Sequence, residues 1–411
     1  LDDYTVRFIY ARPYWLGLSM ISGLPIIPRH YFHLEKFGTD FRYIANKDPR
    51  FAKFYNENRF REHPIGSGPY MFEKWEKGNQ IVLKKNPHYW GKKVYLNKII
   101  WRYIGEDTAA IQALKKGEID FIPSMDTELF LREIRGPFFE KNFVKATYYT
   151  PGYGYLGWNL RRKLFKSRKV RLALAHLMPR KEILKSILHG MGKIVTGPFY
   201  YFGPVYDHKI KPWPFDPKKA KELLTKEGWV DRDGDGILDK DGVKFEFSIF
   251  FVEGSSATKQ IAQRYQAELK KVGIKANLKQ LKWQVMLHSI HNLDFDAVFL
   301  GWGTSVEGDP YQLWHSSQTG KNASNHVGYK NPRVDRIIEK GRTIFDKKKR
   351  RALYRRMHRI IHYDQPYLFL FMTPRKTVYH MRFRGVRWIK FRPGWDLTEW
   401  YVPKELQKYK D

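Results

Sequence analysis

Asp231, Asp233, Asp235 and Asp239 fall at positions 1, 3, 5 and 9 of the stretch D-R-D-G-D-G-I-L-D-K-D-G, with Gly236 at position 6. At that spacing carboxylates can wrap a calcium ion while the glycine makes the sharp bend between them. Position 12, where a bidentate Glu completes such a loop, is Gly242. Two readings therefore stand: a calcium loop short of one ligand, and, favoured by the departure, a turn closed by Asx hydrogen bonds. His358 and His362 are four apart on one face of an expected helix, a spacing that can hold a metal. No Glu follows His358, however, and the surrounding arginines would repel a cation. There is no Gly-x-Ser-x-Gly elbow, phosphate-binding loop or convincing carboxylate pair, so neither an enzyme nor a cofactor is expected.

The other concentration of chemistry-bearing side chains follows the apolar run Asp294–Trp302, in the segment G-W-G-T-S-V-E-G-D-P-Y-Q-L-W-H-S-S. Ligands of open α/β sheets bind beyond the carboxyl ends of the strands, which makes Trp302, Gly303, Thr304, Ser305, Glu307 and Asp309 candidates for contact. Asp309-Pro310 also suits an ordinary turn. Tyr153 and Tyr155 each offer apolar area and a hydroxyl, and serve a ligand cleft or simple hinge packing equally well. Arg375 and Lys376 have the charge to meet a carboxylate, although surface solvation is the plainer reading.

Elements must hold these groups in place. Tyr4–Tyr10 alternates as a strand does, Pro25–His30 reads as extended, and Phe32–Phe60 as irregular helix and loop. Gly66–Trp90 reads as a tight Gly-Pro bend, two strands joined across Glu-Lys-Gly-Asn, and an Asn-Pro stop. Helices are expected at 164–189, at 217–227 with Asp216 as cap and Pro217 in the first turn, at 256–273, and in the basic pair 332–344 and 347–362. Strands are expected at 244–251, 274–281 and 364–371, and at the terminal 395–401. At 411 residues and 42% hydrophobic the chain can build more than one core, and no apolar run reaches the roughly 20 residues of a membrane span. The charge of +33 is spread along the chain without a base-reading stripe, so a generally basic surface is expected and nucleic acid is not a partner. There is no cysteine, which excludes disulfides and thiolate metal sites.

The order G-S-G-P-Y (66–70), N-P-H-Y-W (86–90) and D-T-A-A-I-Q-A-L-K-K-G-E-I-D-F (107–121) resembles the signature of the extracellular solute-binding proteins of family 5. These serve ABC importers of dipeptides, oligopeptides and nickel complexes. F-K-S-R-K-V-R-L-A-L-A-H, D-P-K-K-A-K-E-L-L-T-K-E-G-W and W-H-S continue the likeness at 165, 216 and 314. The resemblance implies an α/β, periplasmic-binding-protein-like fold, with two α/β lobes joined by two hinge crossings, type II of the peptide-binding cluster. It places residues 1–153 in a first lobe, 154–377 in a second and 378–411 in a return to the first. Because Asp-Asp-Tyr-Thr-Val-Arg-Phe looks like an internal strand, the first lobe is expected to be N-terminally incomplete.

The same resemblance implies that Trp302 packs on a peptide and that the residue three further on holds its α-ammonium. Here that residue is Ser305, which has no charge to offer, leaving Glu307 or Asp309 as substitutes. Trp314 and His315 match the W-H-S step. The implied function is peptide capture outside the cytoplasmic membrane, periplasmic or extracytoplasmic and membrane-associated, by a monomer that delivers to ABC permease subunits. The alternatives are a nickel-chelate binder, or a degenerate binding fold kept as an interaction or sensor module.

Overall fold

The structure, a computed structural model, describes residues 2, 5–24 and 62–408. The expectations for Pro25–His30 and Phe32–Phe60 lie outside the described residues. Contacts group the chain into a larger unit, Leu1–Met20 with Tyr149–Arg375, and a smaller one, Ile21–Tyr148 with Lys376–Asp411. The first twenty residues thus group with the larger unit, whereas the sequence reading set them in the first lobe. They are tied there by Tyr14, whose hydroxyl donates to Asp309 at 2.8 Å, and by Trp15, whose ring carries the Arg350 guanidinium 3.8 Å from its centroid. Of the expected strand Tyr4–Tyr10, the described residues Thr5–Tyr10 form no strand. The chain makes only an isolated bridge, Asp2 to Thr5, and the described residues that follow run without a ladder.

In the larger unit a five-stranded sheet runs in the order Lys275–Leu281, Glu246–Val252, Ala297–Gly303, Gly152–Trp158, Tyr367–Phe369. The first three are parallel, and Gly152–Trp158 is antiparallel to both its neighbours. Side chains alternate across a strand, so each strand feeds two cores. Leu156, Trp158, Phe247, Ile249, Ala297 and Phe299 point to one face, covered by the helices Arg168–His176, Pro217–Lys226 and Ser256–Lys270. Tyr153, Tyr155, Val298, Leu300 and Trp302 point to the other, covered by Trp283–His291, Pro332–Thr343 and Lys347–Asp364.

The helices begin where capping chemistry says they should. Ser167 accepts from Lys169 N, Asp216 from Lys219 N with Pro217 behind it, Asn331 from Arg333 N, and Asp346 from Lys349 N.

The smaller unit holds the hairpin Tyr70–Glu76 and Gln80–Lys85, extended by Lys98–Arg102. Gly78, at φ +79°, turns it. Asn86 explains the spacing of the motif that frames the hairpin. Its backbone N donates to Pro69 O at 3.0 Å and its side-chain amide to Gly68 O at 2.9 Å, so the Gly-Pro bend and the Asn-Pro stop are one clamp. A second sheet joins Phe121–Ile122, Arg375–His380 and Phe143–Tyr148. The terminal strand expected at 395–401 shrinks to Trp395–Asp396, paired with Arg387–Trp388, because a 3-10 turn at Leu397–Glu399 ends the ladder.

The larger unit buries histidines that must stay neutral. His358 has no exposed surface, its Nδ1 accepting from Asp207 N at 3.2 Å and its Nε2 paired with the Thr196 hydroxyl at 3.1 Å. His326 is equally enclosed, beside the Tyr155 hydroxyl. Burial lowers His358 to about 3, and lowers His326 and the neighbouring His362 to about 4. The unfolded chain therefore binds more protons below the ordinary histidine value near 6.5. These groups contribute fully above that pH, and their contribution is lost as pH falls toward their folded values. Stability measured by urea denaturation is expected to be level above pH 7 and to fall between pH 6.5 and about 4, by up to about 1.4 kcal/mol per pH unit for each of the two enclosed rings. A flat profile from pH 7 to 5 would contradict this assignment.

Candidate ligand-binding site at the end of the central strand

The strand Ala297–Gly303 is paired unequally on its two edges. Along one edge all seven residues match Gly152–Trp158, from Ala297 opposite Trp158 to Gly303 opposite Gly152. On the other, the ladder to Glu246–Val252 takes in only Ala297 and Val298. Among the described residues, Phe299–Gly303 has no strand partner on that side, and Gly301 and Gly303 are exposed. A backbone edge of this kind offers N–H and C=O groups to an added strand.

The surroundings fix that edge. A Cβ on Gly152 would stand 2.8 Å from Trp302 O, so only glycine permits this approach of the two strands. Thr304 N donates to Pro151 O at 3.0 Å and carries the pairing one residue further. The half-buried Trp302 donates from Nε1 to the Tyr367 hydroxyl at 3.2 Å, and Tyr367 stacks on Tyr155 with ring centroids 3.9 Å apart. Tyr153 and Tyr155 are 4% and 1% exposed. Both belong to the packing beneath the strand, and burial pushes both hydroxyls well above their usual range. Their sequence period explains it: residues 153 and 155 share a face, and that face is the inner one.

Trp314 is likewise buried, against Tyr367 at 4.8 Å. His315 stacks on Tyr311 at 4.5 Å, with Nδ1 2.8 Å from the Ser317 hydroxyl and Nε2 3.3 Å from Glu339. Of the polar loop residues, Ser305 is exposed, and the Thr304 hydroxyl is buried with no hydrogen-bond partner among the described residues.

The two acids of the loop are already engaged. Glu307 receives the Arg351 guanidinium, with Nε at 3.0 Å, and lies 3.6 Å from the buried Arg350. Asp309 accepts from the Tyr14 hydroxyl and from Tyr311 N at 3.0 Å, while Arg342 Nε sits 2.9 Å away as an ion pair, off the hydrogen-bond direction. Burial and the Asp309 carboxylate push the Tyr14 hydroxyl up to about 12, which keeps it a donor. The cations that neutralise these acids come from helices 332–343 and 347–364 and were not legible as partners in the sequence.

Sequence reasoning also missed the run Phe199–Phe202. Phe202 is 48% exposed, yet it meets Tyr149 and Tyr201 at 5.1 Å and Tyr200 at 5.9 Å. The following turn abuts the loop, for a Cβ at Gly203 would come 3.0 Å from Val306 O. The signal was four consecutive aromatics followed by Gly-Pro, a composition too costly for a plain surface loop.

Other candidates are not brought to this place. In the Asp-rich loop, carboxylate oxygens of Asp231, Asp233 and Asp239 lie within 4.8 Å of one another, and Asp235 is not among them. Asp231 accepts from Gly234 N and Gly236 N, each at 2.9 Å, and Asp235 from Ile237 N at 2.8 Å. Lys244 pairs with Asp233 and Asp235, and Arg232 with Asp239. The loop is closed by its own amides and by two protein cations, as an Asx-bonded turn. His358 is held by Asp207 N and the Thr196 hydroxyl, His362 by Thr196 O, and His362 stacks on Trp213 at 5.3 Å. Arg375 is exposed, whereas Lys376 is buried and donates to the Thr127 hydroxyl at 2.8 Å.

Comparison with known proteins gives this geometry relatives. A family model described as bacterial extracellular solute-binding proteins, family 5, matches residues 1–324. The oligopeptide-binding protein AppA of Bacillus subtilis is 33% identical over 355 residues, covering 85% of this chain and 64% of its own length. The chain thus spans less than two thirds of that curated relative. The structure of that protein in complex with a nonapeptide superposes with a TM-score of 0.82 at 30% identity, covering 96% of this chain and 75% of the other. DppA of Helicobacter pylori in complex with the peptide STSA gives 0.81 at 26% identity, with coverage of 98% and 73%. NikZ of Campylobacter jejuni in complex with Ni(L-His) gives 0.77 at 26%, with coverage of 95% and 75%.

The loop acids anchor Arg342, Arg351 and the buried Arg350, so their removal is a stability effect. Glu307→Gln is expected to lower the urea-unfolding free energy by about 2 kcal/mol, since it leaves Arg350 short of a counter-charge. Ser305→Ala, on the exposed rim, is expected to stay within about 0.5 kcal/mol of the parent. Equal stabilities for the two variants would contradict the anchoring role.

Proposed function

The chain belongs to the bacterial extracellular solute-binding proteins of family 5, and from that membership we propose that it is the substrate-binding component of an ABC importer for peptides. It captures di- or oligopeptides outside the cytoplasmic membrane and hands them to permease subunits. No helix among the described residues is long and apolar enough to cross a membrane.

The observation that carries this reading is the open edge at Phe299–Gly303. A peptide laid there as an extra strand gains main-chain hydrogen bonds that do not depend on its side chains. Trp302 supplies an apolar platform whose indole is held by Tyr367. The Phe202 group, in contact with the same loop through Gly203, offers apolar area to a ligand side chain. With Glu307 and Asp309 engaged by arginines, recognition rests on backbone pairing and aromatic packing more than on capture of charge. Solute-binding proteins of this family are receptors, and membership supports a binding role for this chain.

Nickel-chelate binding is the second reading, supported by the Campylobacter jejuni relative. It is the weaker one, because His315 and His326 beside the strand end are already hydrogen-bonded.

Isothermal titration with a defined pool of tetra- to nonapeptides is expected to give saturable heat, and Trp302→Ala to weaken binding at least tenfold, about 1.4 kcal/mol. Heat with nickel-histidine and none with peptides would move the assignment to the second reading. Peptide binding unchanged by Trp302→Ala would remove the site from the end of this strand.

A further inference from the structure

We propose that the tip of the helical hairpin formed by Pro332–Thr343 and Lys347–Asp364 is a docking surface for anionic lipid headgroups. The inference is independent of the ligand site. Phe345, in the turn between the helices, is 63% exposed. Around it Lys340, Lys347, Lys348 and Lys349 are all exposed. Among the described residues none of these four has a carboxylate partner, because the acids on the two helices are engaged elsewhere. Asp346 caps the second helix at Lys349 N, Asp335 accepts from Ser316 N at 2.9 Å, and Glu339 faces His315.

Two features argue that this arrangement serves a partner. Three lysines in the first turn stand where the helix dipole disfavours cations, so they do not serve the helix's own stability. The phenylalanine at the apex leaves most of its surface in solvent, while Arg350 fastens the turn beneath it by donating to Ile344 O at 2.8 Å and Phe345 O at 3.1 Å. The turn is braced and its apolar side chain faces outward.

A rigid apolar tip ringed by unpaired ammonium groups fits the headgroup layer of an anionic bilayer. The lysines meet phosphate, and the ring enters the acyl boundary. Nucleic acid would use the same charge, but it would gain from a groove or a row of stacking rings, and the tip has a single ring. Basic residues continue the field along both exposed faces, at Arg333, Arg336 and Arg356.

Co-sedimentation of the full chain with vesicles tests this. Vesicles of phosphatidylcholine containing phosphatidylglycerol are expected to bind at least tenfold more tightly than phosphatidylcholine alone, with the difference shrinking at high salt. Lys347→Glu, Lys348→Glu and Lys349→Glu together are expected to weaken binding about a hundredfold. Phe345→Ser is expected to weaken it about fivefold while the salt dependence is kept. Far-UV circular dichroism checks that the variants fold, and should the triple variant unfold, Phe345→Ser and the salt series carry the test. Equal binding to neutral and anionic vesicles would overturn the proposal. So would variants that bind like the parent, or Phe345→Ser equal to the parent together with duplex DNA bound as tightly as lipid, which would make the tip a general polyanion surface.

Discussion

The unequal pairing of the strand Ala297–Gly303 is the constraint on which the rest of the larger unit turns. One edge is held over its whole length, at an approach so close that residue 152 can only be glycine. The other edge is released after Val298. An unpaired backbone edge is normally a liability, inviting association with other chains. Here it is backed by Trp302, hydrogen-bonded to Tyr367, which stacks on Tyr155, and flanked by a loop with its own anchors, so the edge is stiff as well as open. Stiffness matters because a preformed edge spares a bound peptide the cost of ordering its receptor.

The charges near this edge have a consistent logic. In a chain of net charge +33, free carboxylates close to a site are scarce and are drawn to arginine. Glu307 and Asp309 are drawn inward by Arg350, Arg351 and Arg342, and the aromatic N-terminal residues Tyr14 and Trp15 complete those same clusters. The acids that seemed free to hold a ligand's ammonium thereby hold the loop. What the edge and its surroundings present at the proposed site is neutral: two exposed glycines, a serine, and aromatic faces.

Much of the fold was legible in the sequence because it rests on local rules. The Gly-Pro bend, the Gly78 turn and the Asn-Pro stop fixed the hairpin, and the caps Ser167 and Asp216 fixed two helices. The strand Ala297–Gly303 was legible too, within the apolar run expected at 294–302. What was not legible depended on partners distant in sequence. Alternation could tell that Tyr153 and Tyr155 share a face, and only the packing of helices 332–343 and 347–364 makes that face the inner one. The partner of Glu307 lies 44 residues away and that of Asp309 at Tyr14 lies 295 away, beyond any local pattern. Thr5–Tyr10 alternates convincingly, yet among the described residues no strand pairs with it, and alternation alone forms no ladder.

Hydrogen–deuterium exchange, read residue by residue with and without a bound peptide, tests the open edge most directly. Addition of a strand there predicts that amides within Phe299–Ser305 become protected on binding, while those of Gly152–Trp158, already paired, change little. Protection confined to other segments, with exchange at 299–305 unchanged by a peptide that demonstrably binds, would contradict the account.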